Sequence, residues 1–499
     1  MSNIRVTYSG LIQFVVGLII IIAGFVSTLI VTRSLTVEEF GTWRLILGVI
    51  VYALAIQPMI SFWSTREIAR GIESGKTAII SNTMLSSVGI IIYVAIAFLT
   101  SEYTDADREA LIFACILIPI MFVAGTLNAI NYGWKPQAVA YGYLVLEIGK
   151  IPLLLITVYW LELGIHGIIL STFIAYVATL IVLSIFAREK LVSKFNIKYL
   201  KKWFKLFWLS LYPWMVSLIH TLDILVFSII TGSVVGLAFY GASMIVAKLC
   251  MSAGQIAESV YPKLLEGEHS GFITNNITLL SYFIIPLASI SIFFAEEILF
   301  ALNPIYQIAY LVIIFMTIRT FLFTYSMQFA RFLTGIEKVD ARENQSFTDF
   351  IKSKLFSIPT VRLIQYAAYI VTLVIVLFLT LSGSSQIDLI IYWSIIWLIV
   401  EIPAFIYFYI AMKKNFKFGF EMKKITKYFL TSILVFGFIS MISKQFLELN
   451  AEIFVFVPNL LMYIGAGVIG YLIITYFIDS RTKQLFVTVL KEIRSKKVS

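Results

Sequence analysis

The chain of 499 residues is 60% hydrophobic and only 13% charged, and carries a formal net charge of +10 at pH 7. Its mean hydropathy of +0.94 reflects more apolar surface than a water-soluble core can bury, which excludes a globular enzyme and implies a polytopic membrane protein. The two cysteines, Cys115 and Cys250, lie inside apolar runs, which argues against a disulfide framework and a thiolate metal centre.

From the N-terminus, MSNIRVTYSG holds one cation and no small-residue cleavage site. The first apolar run is therefore expected to be a retained span, not a signal peptide. Fourteen stretches are long enough to cross a hydrocarbon core of roughly 30 Å. The first two, Leu11 to Thr32 and Trp43 to Trp63, are separated by RSLTVEEFGTWR, where Gly41 is expected to break the turn. Others that matter below are span 5, Ala138 to Trp160; span 7, Phe207 to Thr231; span 8, Leu237 to Val260; span 10, Ile305 to Ala330; and span 12, Leu389 to Met412. Span 13, Tyr428 to Ser443, reads as the shortest, and Ile453 to Phe477 completes the set.

With a cytoplasmic N-terminus, 31 of the 38 Lys and Arg residues fall on the cytoplasmic side, which sets the orientation by the positive-inside rule. Both termini are then cytoplasmic, in a cell-membrane protein. Arg33, Arg44, Arg108 and Lys444 stay outside, beside an acidic loop with Glu102, Asp105, Asp107 and Glu109. The basic loops match anionic head groups, not nucleic acid. External loops are too short for a catalytic domain. In the longest loop, Phe347, Phe350, Ile351 and Leu355 recur at helical spacing, as do Leu485, Phe486, Val489, Leu490 and Ile493 in the tail; both patterns read as interfacial anchoring helices. The sequons at Asn276 and Asn344 fall on the cytoplasmic side and are expected to be unmodified.

Aligning Gly41 with Gly236 places LTVEEFGTW over ITGSVVGLA at an offset of 195 residues. A repeat of this kind makes two six-span halves. The expected organisation is an N-lobe at 1–187, a basic linker at 188–206, a C-lobe at 207–412 with a cytoplasmic loop at 332–360, spans 13 and 14 at 413–480, and a basic tail at 481–499.

Ionisable groups inside spans are costly and mark function or pairing. Glu147 and Lys150 share a face of span 5 and either neutralise each other or line a cavity. His220 and Asp223 share a face of span 7, which suits a proton or sodium site or a structural hydrogen bond. Lys248, Arg319 and Glu401 stand singly on spans 8, 10 and 12. Lys248 sits too deep to snorkel, so it either contacts substrate or pairs with Asp223. Arg33 and Arg44 flank the first turn, where Glu38 or Glu39 offers a clamp. Pro58, Pro119, Pro152, Pro213, Pro286 and Pro403 are candidate bends.

Three segments carry a resemblance. TRSLTVEEFG, Thr32 to Gly41, resembles the signature after the first span of the lipid-linked oligosaccharide flippases of the O-antigen and polysaccharide-biosynthesis type. TREIARG, Thr65 to Gly71, is similar to that family's basic turn, and DILVFSIITGSVVGLAFYGA, Asp223 to Ala242, resembles its seventh-to-eighth span hairpin, with Ile224 where a cation is common. The resemblance implies an all-α fold of two six-helix lobes plus two C-terminal helices, of the multidrug/oligosaccharidyl-lipid/polysaccharide exporter superfamily. The implied activity is alternating-access translocation of a polyprenyl-(pyro)phosphate-linked oligosaccharide by a monomer, without cofactor or metal. Arg33, Arg44, Lys150, Lys248 and Arg319 are then the expected substrate contacts. Asp223, His220, Glu147 and Glu401 are the expected sites for a coupling H+ or Na+. A multidrug exporter shares this fold but usually has twelve spans. A membrane glycosyltransferase would need a large external loop with catalytic carboxylates, and no phosphate-binding glycine loop supports ATP hydrolysis.

Overall fold

The computed structural model describes residues 2–205, 207–258, 270–335, 351–416, 419–450, 452–480 and 482–483. Within them the chain is helical, with no strand. Thirteen segments are long and apolar enough to cross a membrane, and the apolar part of the first helix, Ile19–Ser34, is shorter. The polytopic class expected from composition and the all-α architecture implied by the resemblance are observed. The helices are α1 (Ser2–Ser34), α2 (Val37–Ala53), α3 (Pro58–Ala69), α4 (Gly75–Tyr103), α5 (Arg108–Phe113), α6 (Leu117–Trp134), α7 (Gln137–Leu154), α8 (Gly164–Leu191), α9 (Ile197–Lys205) and α10 (Phe207–Thr231). They continue as α11 (Val235–Ala247), α12 (Leu249–Glu258), α13 (Ser270–Phe293), α14 (Ala295–Leu302), α15 (Tyr310–Gly335), α16 (Lys354–Thr380), α17 (Gln386–Asn415), α18 (Met422–Phe446) and α19 (Ile453–Ile478). Span 13 is thus 25 residues long as α18, longer than its apolar stretch, because Lys423, Lys424 and Lys427 are carried within its first turns. Residues 336–350 and 484–499, with Asn344 and both expected anchoring patterns apart from Ile351 and Leu355, lie outside the described residues; Leu355 lies in the first turn of α16.

The chain packs as two units, 12–242 with 337–400, and 1–11 with 243–336 and 401–499. In the first unit α6 is the central helix, packed on α3, α4, α7 and α8. Helix α2, which packs on α4 and α10, starts earlier than the hydropathy suggested. Thr36 Oγ1 accepts from the Glu39 amide at 3.2 Å while Glu39 Oε2 accepts from the Thr36 amide at 3.0 Å, a reciprocal cap that nucleates a helix. Gly41 therefore lies inside α2 and does not break the turn. It is glycine for a packing reason: a Cβ there would sit 2.2 Å from the Val234 carbonyl oxygen.

Several prolines do mark interruptions. A 3-10 turn, Leu54–Ile56, separates α2 from α3, whose first residue is Pro58. At this joint Gln57 Nε2 donates to the carbonyls of Met121 and Phe122, at 3.2 and 3.0 Å. Gly125 makes that reach feasible, since a Cβ there would lie 2.1 Å from Nε2. Pro152 in α7 precedes a π-helical turn at Leu155–Trp160.

The acidic loop has a structural use. Asp105 Oδ1 accepts from the Val234 amide at 2.7 Å, Oδ2 accepts from the Ser233 hydroxyl at 2.8 Å, and the Asp105 amide donates to the Gly232 carbonyl at 3.1 Å. The carboxylate thus supplies an acceptor to the exposed amides that begin α11.

In the second unit α13 packs on α12, α15 and α18, and α18 on α19. Tyr471 donates to the Tyr282 carbonyl at 2.9 Å and Tyr428 to Asp479 Oδ2 at 2.7 Å. Burial alone would push the Asp479 carboxyl up, but the hydroxyls of Tyr428 and Thr482 hold it below its ordinary value. Asn276 is buried, with Oδ1 accepting from Gln328 Nε2 at 3.3 Å.

Candidate functional site

The candidate site in the first unit is built around a buried carboxylate. Asp223, on α10, is 3% exposed. Its Oδ1 accepts from the Ile224 amide at 2.8 Å, and its Oδ2 accepts from the Tyr369 hydroxyl of α16 at 2.9 Å. That hydroxyl in turn accepts from Trp393 Nε1 of α17. Tyr369 and Trp393 are fully buried, so a chain of donors from two helices converges on the carboxylate and offsets its removal from water.

Aromatic rings hold this chain in place. Trp393 lies flat against Tyr240, centroids 3.8 Å apart, and on Phe227 at 4.8 Å. Gly236 leaves room for the Phe227 ring, which a Cβ would meet at 2.4 Å. Tyr369 stacks on Trp397 at 4.1 Å. One turn from Asp223, His220 fills the space between Tyr366 and Trp397, at 5.3 and 5.1 Å.

Arg44 is the cation of this site. Its stem lies over Gly241 so closely that a Cβ there would be 2.6 Å from Nε, 2.7 Å from Cδ and 2.9 Å from Cγ. Glycine at 241 is thus a slot that aims the guanidinium, and the charge of Asp223 bears on it. The side chain of Arg44 is only partly buried, whereas Asp223 is closed off. Close packing of α2 on α10 keeps the two together: Gly48 faces Ile224, and Tyr52 donates to the Leu218 carbonyl at 3.1 Å while accepting from Thr221 Oγ1 at 3.2 Å.

The other expected residues are placed as follows. Glu147 and Lys150 bond each other on α7 at 2.8 Å, each side chain about a fifth exposed, so each charge is largely cancelled locally. Arg33 ends α1, partly buried. Glu39, one of two possible clamps for Arg33 and Arg44, has its carboxylate on backbone amides instead, of Thr36 at 3.0 Å and of Ile165 at 3.3 Å. In the second unit Lys248 occupies the break between α11 and α12 and is exposed. Arg319 is buried, with its guanidinium 4.4 Å from the Phe323 ring centre, and Glu401 is fully buried. Tyr369, Trp393, Tyr240 and Gly241 were not singled out by sequence; aromatic residues are spread through all the spans, and a glycine slot carries no local signal.

A cavity of about 160 Å³ lies elsewhere in the first unit, lined by Gln57, Asn128, Tyr143, Tyr176 and Thr179 among others. Its polar groups are neutral. The enclosed Oδ1 of Asn128 accepts no hydrogen bond.

No protein-family model matches the chain, and no curated protein sequence is significantly similar to it. Solved structures do match. A structure of the lipid II flippase MurJ, in an inward closed conformation, aligns over 94% of this chain and 98% of its own, with a TM-score of 0.66 at 14% identity. An inward-facing multidrug resistance MATE family transporter of the MOP superfamily aligns over 81% of this chain and 98% of its own, with a TM-score of 0.59 at 12% identity. A MOP superfamily transporter from Pyrococcus furiosus aligns over 83% and 98%, with a TM-score of 0.54 at 11% identity. The protein thus has the fold shared by these MOP superfamily transporters, lipid flippase and multidrug exporter alike.

Proposed function

We propose that the protein is a flippase that carries an oligosaccharide on a polyprenyl phosphate or pyrophosphate from the cytoplasmic to the outer leaflet by alternating access. The observation that carries this reading is Arg44, a guanidinium aimed by a glycine slot beside the buried Asp223. A planar fork of donors suits a phosphate oxygen pair. While Asp223 is ionised it partly cancels Arg44. Uptake of a proton or sodium ion at Asp223 leaves the guanidinium uncompensated and ready for an anionic head group, and loss of that cation releases the head group. Arg33 is a further contact in the same unit, and Lys248, exposed in mid-span, and Arg319 are contacts of the second unit. His220 and Glu401 modulate the coupling, while Glu147 and Lys150 act as a neutral pair.

Two further observations accord with a glycolipid. The lipid II flippase aligns over 94% of the chain, whereas the multidrug transporter aligns over 81%. The neutral, tyrosine-containing cavity offers hydrogen-bond partners of the kind that sugar hydroxyls need. A head group crossing bare hydrocarbon would leave many polar groups unpaired, each costing several kcal/mol. A polar path removes that barrier while the lipid tail stays in the bilayer.

In a strain lacking the gene, lipid-linked oligosaccharide is expected to accumulate on the cytoplasmic leaflet. The parent gene should clear it, and Arg44→Gln, present at normal abundance, should not. Sensitivity of the deletion strain to cationic drugs without glycolipid accumulation would assign the multidrug reading instead. Both termini are taken as cytoplasmic. Labelling of a cysteine at Ser495 by an impermeant reagent in intact cells, on a background without Cys115 and Cys250, would reverse that orientation.

A further inference from the structure

The short helix α9 joins the sixth span to the seventh, and its residues divide around the helix into three sectors. At 3.6 residues per turn, Tyr199, Leu200 and Trp203 fall together, Phe204 and Ile197 lie beside them, and Lys198, Lys201 and Lys205 take the remaining side.

The first sector is occupied by protein. Trp203 is fully buried against Ile60, Trp63 and Ala78, with Tyr199 and Leu200 packed around that cluster. Lys202 bonds Glu67 at 3.1 Å, where the carboxylate is 4% exposed. The Asn196 amide donates to Thr77 Oγ1 at 3.0 Å, and Asn196 Oδ1 accepts from the Lys198 amide at 3.0 Å. The helix is therefore docked under α3 and α4.

The second sector is bare. Phe204 and Ile197 are exposed, as are the flanking Val192, Phe195 and Phe207. The third sector is bare as well: Lys198, Lys201 and Lys205 are exposed, and none forms an ion pair among the described residues. A docked helix has no need of five exposed apolar side chains next to three unbalanced ammonium groups, yet both suit a bilayer boundary with acidic head groups.

We propose that α9 and its flanks form a docking surface for anionic phospholipid. Phe195, Ile197, Phe204 and Phe207 enter the acyl boundary at the ends of the spans, and Lys198, Lys201 and Lys205 engage the head-group phosphates. Charge complementarity selects this occupant, and the adjoining spans bring the bilayer to it. The surface also fixes the depth of the link between the sixth and seventh spans, so lipid charge bears on how that link moves. None of this depends on which substrate is carried.

The test uses the full chain in nanodiscs of phosphatidylcholine alone or mixed with phosphatidylglycerol, with lysine acetylation read by mass spectrometry. Labelling of Lys198, Lys201 and Lys205 is expected to fall about five-fold in the mixed discs and to recover in high salt. Lys135, held to Glu189 at 3.2 Å, should change little. The triple variant Lys198→Gln, Lys201→Gln, Lys205→Gln should lose the phosphatidylglycerol that native mass spectrometry finds on the parent. Equal labelling in the two kinds of disc overturns the proposal. So does equal protection by an acidic peptide in discs of phosphatidylcholine alone, which would assign the surface to a protein partner.

Discussion

A single methyl group at position 241 tests the site more sharply than removal of any charge. In Gly241→Ala the added carbon would stand 2.6 Å from Nε, 2.7 Å from Cδ and 2.9 Å from Cγ of Arg44. Contacting heavy atoms settle at about 3.5–4.0 Å, so the arginine stem must retreat by about 1 Å. The stem turns about several bonds, so it gives way before the backbone of α11 does. Overpacking costs about 1–3 kcal/mol, and replacing a helical glycine by alanine returns about 1 kcal/mol. The variant should therefore fold and reach the membrane with a nearly unchanged melting temperature. Translocation should not survive equally well, because a misplacement of about 1 Å at an orienting group can cost on the order of 100-fold in rate. Glycolipid translocation in reconstituted vesicles, scaled to folded protein, measures this loss. In an Arg44→Ala background the obstructed atoms are gone. There Gly241→Ala should add about 1 kcal/mol of stability and change translocation no further. If it translocates at the parent rate, or has the same effect in both backgrounds, the aiming role of Gly241 is wrong.

The buried donor chain makes a second prediction. Tyr369→Phe strands both Asp223 Oδ2 and Trp393 Nε1 and should cost about 1–3 kcal/mol, whereas Asp223→Asn keeps an acceptor for the tyrosine and should cost less; thermal unfolding in detergent ranks the two, and the opposite order refutes the network. For the pair on α7, Glu147→Gln and Lys150→Gln should each lower stability, and the double variant should recover most of the loss, as a coupling of about 1 kcal/mol in a double-mutant cycle; additive losses would mean that the two groups act separately. Glu297, on α14, is buried, and burial pushes its carboxyl above the ordinary value. The folded protein then holds that proton more tightly than the unfolded chain does, so the group penalises folding at neutral pH and not in acid. Glu297→Gln should raise the melting temperature at pH 7 and leave it unchanged below about pH 4; a stabilisation independent of pH would point to packing instead.

Hydropathy made the spans legible because one transmembrane helix needs nothing but its own apolar residues. The start of α2 was legible too, in Thr36 and Glu39, but the glycine two residues later drew the boundary inward. That glycine answers to the carbonyl of Val234, which is remote in sequence. Asp223 stood out as a charge in an apolar run. Its partner did not, because Tyr369 lies 146 residues away and differs in no local respect from tyrosines that merely pack. Lys248 was visible as a mid-span cation, yet the helix break that exposes it follows from no proline and has no sequence signal. The spacing of Glu147 and Lys150 left cancellation and cavity lining both open, and the 2.8 Å bond between them shows that three residues on one helix face suffice to bring them together.

Gln57 and Gly125 also have a consequence for descent. The amide of Gln57 lies where any side chain at 125 would stand, with Nε2 only 2.1 Å from the place of a Cβ. A lineage cannot explore these positions one at a time. Losing the glycine expels the amide from the carbonyls of Met121 and Phe122, whereas losing the glutamine first leaves those carbonyls with the bonds of their own helix, including that from Thr126 Oγ1 to Phe122 at 2.8 Å, and makes the glycine dispensable. The two positions are inherited as one choice, and the order of change is fixed: 57 before 125. When homologues of this chain are aligned, substitutions at 125 should occur only in sequences that have already abandoned glutamine at 57.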